Sequence, residues 1–495
     1  MTRKRFLQLG AAVPASARLS AGQARPAGGR PRNVLFLMAD QHCKSVMGVA
    51  GDQRARTPNL DALARSGVRF SNAYCTNPLC TPSRASILTG LYTHHHRTWS
   101  NTTPWPFEFK TMAHAFRRAG YCSGSIGKMH FVDAQTHGFD YRLDFNDWYQ
   151  SLGPAASLFA DELGVPNSGS GLPQIDDLWK DHGDPWASVR NKDARQGPVQ
   201  VGRASLIPES DHFESFVARE SNRFLRRFGG KEPFFLISSF LKPHDPFMPP
   251  ARFAEMYAAA ETPMPRTWNR VNRAAVPAEI RRRMERDAPT PELADPKNAK
   301  QRIAMYYANV AFMDQCLGSV LDTLRAMNLE RDTIVLYASD HGEMLGEHNL
   351  WNKFVLYDPS VGVPLIIRAP GVTGAGGEAH SVASLVDLFP TLLDLCGLDG
   401  PRILDGESLA PVLRQPGLSP NRAVFAQTGT QSPRPSGMLR EGIWKYIDHP
   451  DDVCELYDLR QDPDELDNVA IAQATRAAEM KAKLREWCPI PVAVA

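Results

Sequence analysis

The segment Cys80-Thr81-Pro82-Ser83-Arg84 places a sulfur nucleophile, a proline and a guanidinium within five residues. That order suits a turn entering a helix, where free backbone amides and Arg84 would surround an anion next to the sulfur. On these residues alone, Cys80 is either a thiol of lowered pKa or a buried structural cysteine. Two acids stand out by position. Asp40 closes the apolar run 33–39, and Asp340 closes a second run, 333–339. In parallel α/β sheets ligand sites form at the carboxyl ends of strands, so a pair of strands that each end in an acid is a functional pattern. A single such Asp would say little, because Asp also caps helices.

Both runs are short and apolar, as strands buried on both faces are. Further strands are expected at 121–127, 234–240 and 364–368, and helical periodicity separates them at 60–66, 111–119, 213–228 and 302–327. Strands alternating with helices predict an α/β fold with a mostly parallel central sheet flanked by helices on both faces. Two stretches rich in Pro and charge, roughly 150–210 and 258–300, interrupt the rhythm and read as surface insertions that shape a cleft. Beyond about residue 410 the texture changes to strand-like pieces at 423–427, 444–448 and 455–458 and a final helix at 473–487. The division is therefore an export segment over 1–30, a main α/β domain over 31–409, and a smaller C-terminal α+β subdomain over 410–495.

Composition narrows the partners. The 495 residues are 43% hydrophobic and 22% charged, which is a folded chain with a sizeable core. Lys plus Arg number 56 against 54 for Asp plus Glu, so no basic field invites nucleic acid and any anion must be gripped locally. Eight scattered cysteines without a CxxC pair exclude a disulfide scaffold, although Cys454 and Cys488 could form one bridge in an oxidising compartment. The basic start Thr2-Arg3-Lys4-Arg5, a weakly apolar stretch and small residues up to Ala24 read as an export signal, so the protein is expected in the periplasm or outside the cell. The start resembles a twin-arginine signal, with Lys4 where a second Arg is expected. No later stretch reaches the roughly 18 to 20 apolar residues of a membrane span.

The segment from Cys80 to Gly90 matches the type I sulfatase signature C-x-P-S-R-x-x-x-L-T-G at every defined position. Thr57-Pro58-Asn59-Leu60-Asp61 and Gly67-Val68-Arg69-Phe70 also resemble that family, a branch of the alkaline-phosphatase superfamily. The resemblance runs from about residue 33 to 470 and is weakest in the two insertions. It implies an alkaline-phosphatase-like fold and hydrolysis of a sulfate monoester, carried by a sugar or a small alcohol. It also implies that a formylglycine-generating enzyme converts Cys80 to formylglycine (3-oxoalanine). The hydrated aldehyde offers one hydroxyl to attack sulfur and a second to expel sulfate, whereas a serine would be stranded as a stable sulfate ester.

The same resemblance assigns roles. Asp40, Gln41, Asp340 and His341, with Cys80, would hold one divalent metal that binds a sulfate oxygen and acidifies the hydrate. Many relatives carry Asp where Gln41 stands and Asn where His341 stands. Imidazole alone would favour manganese or zinc, but the resemblance implies calcium, with manganese or magnesium as alternatives. Gly127-Lys128-Met129-His130-Phe131 resembles the G-K-x-H element, with Lys128 on the sulfate and His130 the base that releases it. Lys242-Pro243-His244-Asp245-Pro246-Phe247 resembles the loop whose His244 protonates the leaving oxygen as an imidazolium. Lys353 matches the lysine that bridges sulfate and leaving group, and Lys128, Lys353 and Arg84 together supply the local positive charge.

The motifs look closest to the choline-sulfatase and iduronate-sulfatase branches. Two rivals remain: a phosphonate monoester or phosphodiester hydrolase of the same superfamily, and an inactive sulfate- or glycan-binding relative. Three further features are weaker. His94-His95-His96 reads as a loop at the cleft edge rather than a metal site, because three consecutive residues rarely converge on one ion. Glu343, Glu347 and His348 are expected to shape a helix start near the site. Trp99, Trp105, Trp148, Trp179 and Trp186 are candidates for a sugar or aryl pocket and equally for core.

Overall fold

A computed structural model describes residues 33–106, 108–131, 135–153, 201–286, 291–428 and 435–488. The segment expected to direct export, most of the first insertion, and Trp179 and Trp186 lie outside the described residues. In chain order, β1 (Asn33–Asp40), β2 (Val68–Tyr74), β3 (Cys122–Gly127), β4 (Tyr141–Leu143), β5 (Phe234–Pro243), β6 (Thr333–Ser339), β7 (Leu365–Arg368) and β8 (Gly377–Ser384) form one sheet. Its order is β4-β3-β5-β1-β6-β7-β2-β8. The pairings that involve β7 are antiparallel and the other pairings of the sheet are parallel. The expected mostly parallel α/β sheet is what the chain forms.

The two-residue period of a strand feeds two separate cores. On β1, Val34, Phe36 and Met38 join one apolar cluster while Leu35, Leu37 and Ala39 join the other. β5 and β6 split in the same way, with Phe235, Ile237, Ile334 and Leu336 on the first side and Phe234, Leu236, Val335 and Tyr337 on the second. The helices Phe213–Phe228 and Pro296–Ala326 cover the second side; Cys80–Thr89, Met112–Arg118 and Leu388–Cys396 cover the first. Each fully buried Leu, Ile or Phe contributes roughly 1.5 to 3 kcal/mol, so the central strands are the best-anchored part of the molecule.

Three strands of this sheet are absent from the expected set, and their sequences explain it. VRFSNAY, YRL and GEAHSVAS interleave polar with apolar residues because β4 and β8 are edges and β2 lies next to one. The helix Pro296–Ala326 starts earlier than expected at a proper cap: Asp295 accepts a hydrogen bond from Lys297 N at 2.8 Å and Pro296 occupies the first turn. Part of the second insertion is built into the body, since Ile280 and Met284 lie in the first core.

The C-terminal part is a four-stranded antiparallel sheet of β9 (Ala423–Gln427), β10 (Gly437–Glu441), β11 (Trp444–Asp448) and β12 (Glu455–Asp458), with the helix Ala474–Trp487 against it. One face packs Leu439, Tyr446 and Leu456 on Met480 and Leu484; the other sends Val424, Met438 and Ile447 into the first core of the main sheet. Buried ion pairs lace the seam. Lys445 Nζ lies 2.8 Å from Asp358 and 2.6 Å from Glu465, and Lys44 Nζ lies 2.5 Å from Asp358. Cys454 and Cys488 are separate thiols, so the pairing considered for them does not form.

Candidate active site

Four neighbouring strands, β3, β5, β1 and β6, end along one edge of the sheet and deliver most of the site. Asp40 is the last residue of β1, and the β1–β6 register sets Ala39 beside Ser339, so Asp340 follows directly alongside. Backbone bonds lock this edge: Asp340 N to Ala39 O at 3.3 Å, and His244 N to Asp40 O at 3.1 Å. Gln41 then leaves the strand with φ 64°, and its N–H donates to Asp340 Oδ1 at 3.2 Å. At the end of β3, Gly127 has φ 108°, and a Cβ there would lie 1.9 Å from Ser239 O. Only glycine permits that approach, which lets Lys128 N bond Ser239 O at 3.0 Å and turns Lys128 toward the site.

Cys80 is the first residue of its helix and fully buried, in the helix-entry position expected of it. Its Sγ lies 3.2 Å from His341 Nε2, 3.5 Å from Lys353 Nζ and 3.8 Å from Asp40 Oδ1. Burial, followed by the charge of Asp40, pushes the thiol pKa up to about 11, so the unmodified sulfur is a protonated and weak nucleophile. Ligand atoms of Asp40, Cys80, Asp340 and His341 lie within 4.8 Å of one another.

This donor set fits a metal ion. His341 Nδ1 lies 3.0 Å from the Gly342 carbonyl, which can only accept, so the proton sits on Nδ1 and the Nε2 lone pair faces the cluster. Burial lowers the His341 pKa to about 4, leaving it neutral and able to ligate near pH 7. Burial opposes ionisation of Asp340, but Arg84, His341, Lys128 and Lys353 outweigh it and hold its pKa at about 2. Asp40 is held below its ordinary value as well: burial and Asp340 oppose ionisation, and Lys128, Arg84 and Lys353 overcome them.

The cations divide into two kinds. Arg84 is completely buried and spends its guanidinium on protein: Nε to Asp340 at 2.7 Å, Nη2 to Asp40 at 3.0 Å, and Nη1 to Ser239 Oγ at 2.9 Å and to the Lys128 carbonyl. It is a clamp on the two carboxylates rather than an open anion contact. Lys128 Nζ lies 2.8 Å from Asp40 Oδ2. Lys353 Nζ reaches Gln41 Oε1 at 2.6 Å and His244 Nε2 at 2.9 Å. An ammonium only donates, so His244 Nε2 accepts here and Nδ1 donates to Asp245 O at 2.7 Å. His130 is 6% exposed, with φ 55°, two residues beyond Lys128. The ten expected residues thus all lie at or beside one edge of the sheet.

The weaker expectations meet different outcomes, with Glu347 and His348 opening a short helix, Glu347–Asn349. Glu343 starts no helix; it is buried and bonds Gln41, Leu345 and Asn352. Glu347 caps a neighbouring turn by accepting from Arg266 N and Thr267 N at 3.0 and 2.9 Å. The three histidines splay apart from a short helix, toward Gln427, Asp405 and Ser86 respectively. Trp148 is core, and Trp105 is buried against Phe131 and His137. Ser239 and Asn101, which bonds Thr81 N at 3.0 Å, had not been singled out. For Ser239 a signal existed: two serines inside the apolar run of β5. A cleft of about 730 Å³ beside Lys44, Arg54 and Leu345 contains none of the ten residues.

Comparison with known proteins agrees with the geometry. The sulfatase family profile matches residues 32–398, and that of the C-terminal region of N-sulphoglucosamine sulphohydrolase matches 346–488. A choline-sulfatase of Rhizobium meliloti is 31% identical over 480 residues, covering 93% of this chain and 87% of that protein. An arylsulfatase of Clostridium perfringens is 31% identical, covering 77% of this chain and 78% of its own. The crystal structure of a phosphonate monoester hydrolase of Agrobacterium radiobacter superposes with a TM-score of 0.72 at 26% identity, over 93% of this chain and 95% of that one.

Proposed function

The chain belongs to the sulfatase family and is a sulfuric ester hydrolase, and from that premise we propose that it cleaves the sulfate monoester of a sulfated carbohydrate or small alcohol at Cys80. The observation that carries this reading is the convergence of Cys80, Asp40, Gln41, Asp340 and His341 with Lys128 and Lys353 at one sheet edge. Asp40, Asp340, His341 and Gln41 Oε1, beside position 80, would hold one divalent cation, calcium by family resemblance. Such an ion supplies charge for a sulfate oxygen and acidifies a neighbouring hydroxyl. Cys80, matured to formylglycine by a generating enzyme, supplies as the hydrated aldehyde one hydroxyl for attack and one for release. The high pKa of the thiol supports that reading, because cysteine itself would be a poor nucleophile here.

The remaining roles belong to the chain's own side chains. Lys128 and Lys353 bind the sulfate, and Arg84 keeps Asp40 and Asp340 ionised and in place. His130 removes the proton that lets sulfate leave. His244 donates to the leaving oxygen after substrate draws the Lys353 ammonium away from Nε2 and that nitrogen gains a proton. Export to the periplasm or beyond follows from the N-terminal segment.

Mass spectrometry of the peptide containing Cys80 from the native host, with metal analysis of protein purified without chelator, tests the reading. An intact thiol throughout, in active enzyme, would overturn it. The likeness to a phosphonate monoester hydrolase keeps one rival, and equal or faster turnover of an aryl phosphonate than of an aryl sulfate would favour that rival.

A further inference from the structure

Glu343 is fully buried, and its side-chain hydrogen bonds go to Gln41, Leu345 and Asn352. One carboxylate oxygen, Oε1, accepts the backbone N–H groups of Leu345 at 2.9 Å and Asn352 at 2.7 Å. The other, Oε2, accepts from the side-chain amide Nε2 of Gln41. A carboxylate offers only acceptors, so it dictates which end of the Gln41 amide turns toward it. With Nε2 engaged, Oε1 faces inward, where Lys353 Nζ meets it at 2.6 Å. The segment that Glu343 pins is closed by Met344 N to Asn352 O at 2.7 Å and leads directly to Lys353.

We infer that Glu343 is a positioning residue that selects the oxygen-inward orientation of Gln41 and ties it to the segment presenting Lys353, so that residues 41 and 343 act as one matched donor–acceptor pair. The inference rests on the metal reading above, in which Gln41 Oε1 is a ligand. The reverse orientation would aim an NH2 group, which has no lone pair to offer, at both the metal position and the Lys353 ammonium. Substitution makes the logic explicit. In Glu343→Gln the new amide still accepts from Leu345 and Asn352 with its oxygen, so it presents NH2 to Gln41 and forces that amide to invert. In the exchange variant Gln41→Glu/Glu343→Gln, the amide now at position 343 donates to the carboxylate now at position 41. Every hydrogen bond is then restored with an oxygen facing inward.

The test is calcium and manganese affinity of the purified full chain by competition with a chelator, with thermal melting in excess chelator as the control on folding. Glu343→Gln should bind about tenfold to a hundredfold more weakly than the parent, the usual cost of losing a residue that orients a ligand. The exchange variant should return to within about threefold of the parent. Gln41→Glu alone, with two carboxylates facing, should melt lower in chelator than either. Parent-like affinity in Glu343→Gln, or an exchange variant no better than Glu343→Gln, overturns the inference. A parent that binds neither ion overturns the metal reading instead.

Discussion

Two clusters of buried charge lie in this molecule, and they differ in what remains once their internal pairs are counted. At the seam between the two sheets, Lys44 and Lys445 end on Asp358 and Glu465, and Arg440 ends on the Tyr74 hydroxyl, which itself donates to Asp358. Burial raises Glu465, Asp358 adds to that, and Lys445 opposes it; Asp358 itself is held far down by Lys44, Lys445 and Arg440 against its burial. At the strand edge, Arg84 and Lys128 end on Asp40 and Asp340, while the Lys353 ammonium reaches Cys80, Gln41 and His244, so its charge is not spent on a carboxylate there. A cluster whose cations all end on structural partners is glue. A cluster with surplus positive charge converging on one side chain is a receptacle for an anion. Burial of charge alone does not distinguish the two; where the cations end and the position at strand ends do.

That contrast can be broken at several points. Cys80→Ser should allow at most a single turnover, visible as a stoichiometric burst without a steady state; sustained turnover would remove position 80 from the chemistry. Lys445→Met should lower stability by roughly 3 to 5 kcal/mol, because it strands Glu465 and leaves Asp358 with Lys44 as its one remaining ammonium partner. The folded fraction should keep its kcat/KM, and urea unfolding beside kinetics at low temperature checks both. Lys128→Ala should do the opposite, costing roughly 10²- to 10³-fold in kcat with an almost unchanged unfolding midpoint. If Lys128→Ala instead destabilised the fold and spared catalysis, the two clusters would be of one kind.

A smaller effect concerns pH. Burial lowers His96 and His212 to about 3, so each is neutral when folded and protonates near 6.5 when unfolded. The unfolded chain binds more protons in that window, so their contribution is complete above about pH 6.5 and lost as pH falls toward 3. At pH 5 each should cost roughly 2 kcal/mol, and melting temperatures of His96→Gln and the parent should converge on acidification.

Much of this was readable beforehand because it depends on local pattern. Apolar runs ending in Asp40 and Asp340 announced the two central strands, and the spacing around Cys80 announced its helix entry. The edge strands were not legible, since a half-exposed strand such as β8 has no apolar run to betray it. Nor was the tie from Glu343 to Gln41, which joins residues 302 positions apart and depends on the direction of a side chain. Arg84 shows the same limit: its presence was evident, but its attachment to both carboxylates appears only when β1 and β6 stand side by side.

The complete burial of Cys80 sets an order of events in time. In the maturation proposed above, the enzyme that alters this side chain would have to reach it before the helix Cys80–Thr89 docks on the sheet, so maturation and folding would compete for the same newborn chain. Chains that fold first would become stable bystanders, indistinguishable in shape from working ones. The specific activity of a preparation would then report the outcome of that race, and slowing synthesis would raise it without changing a residue.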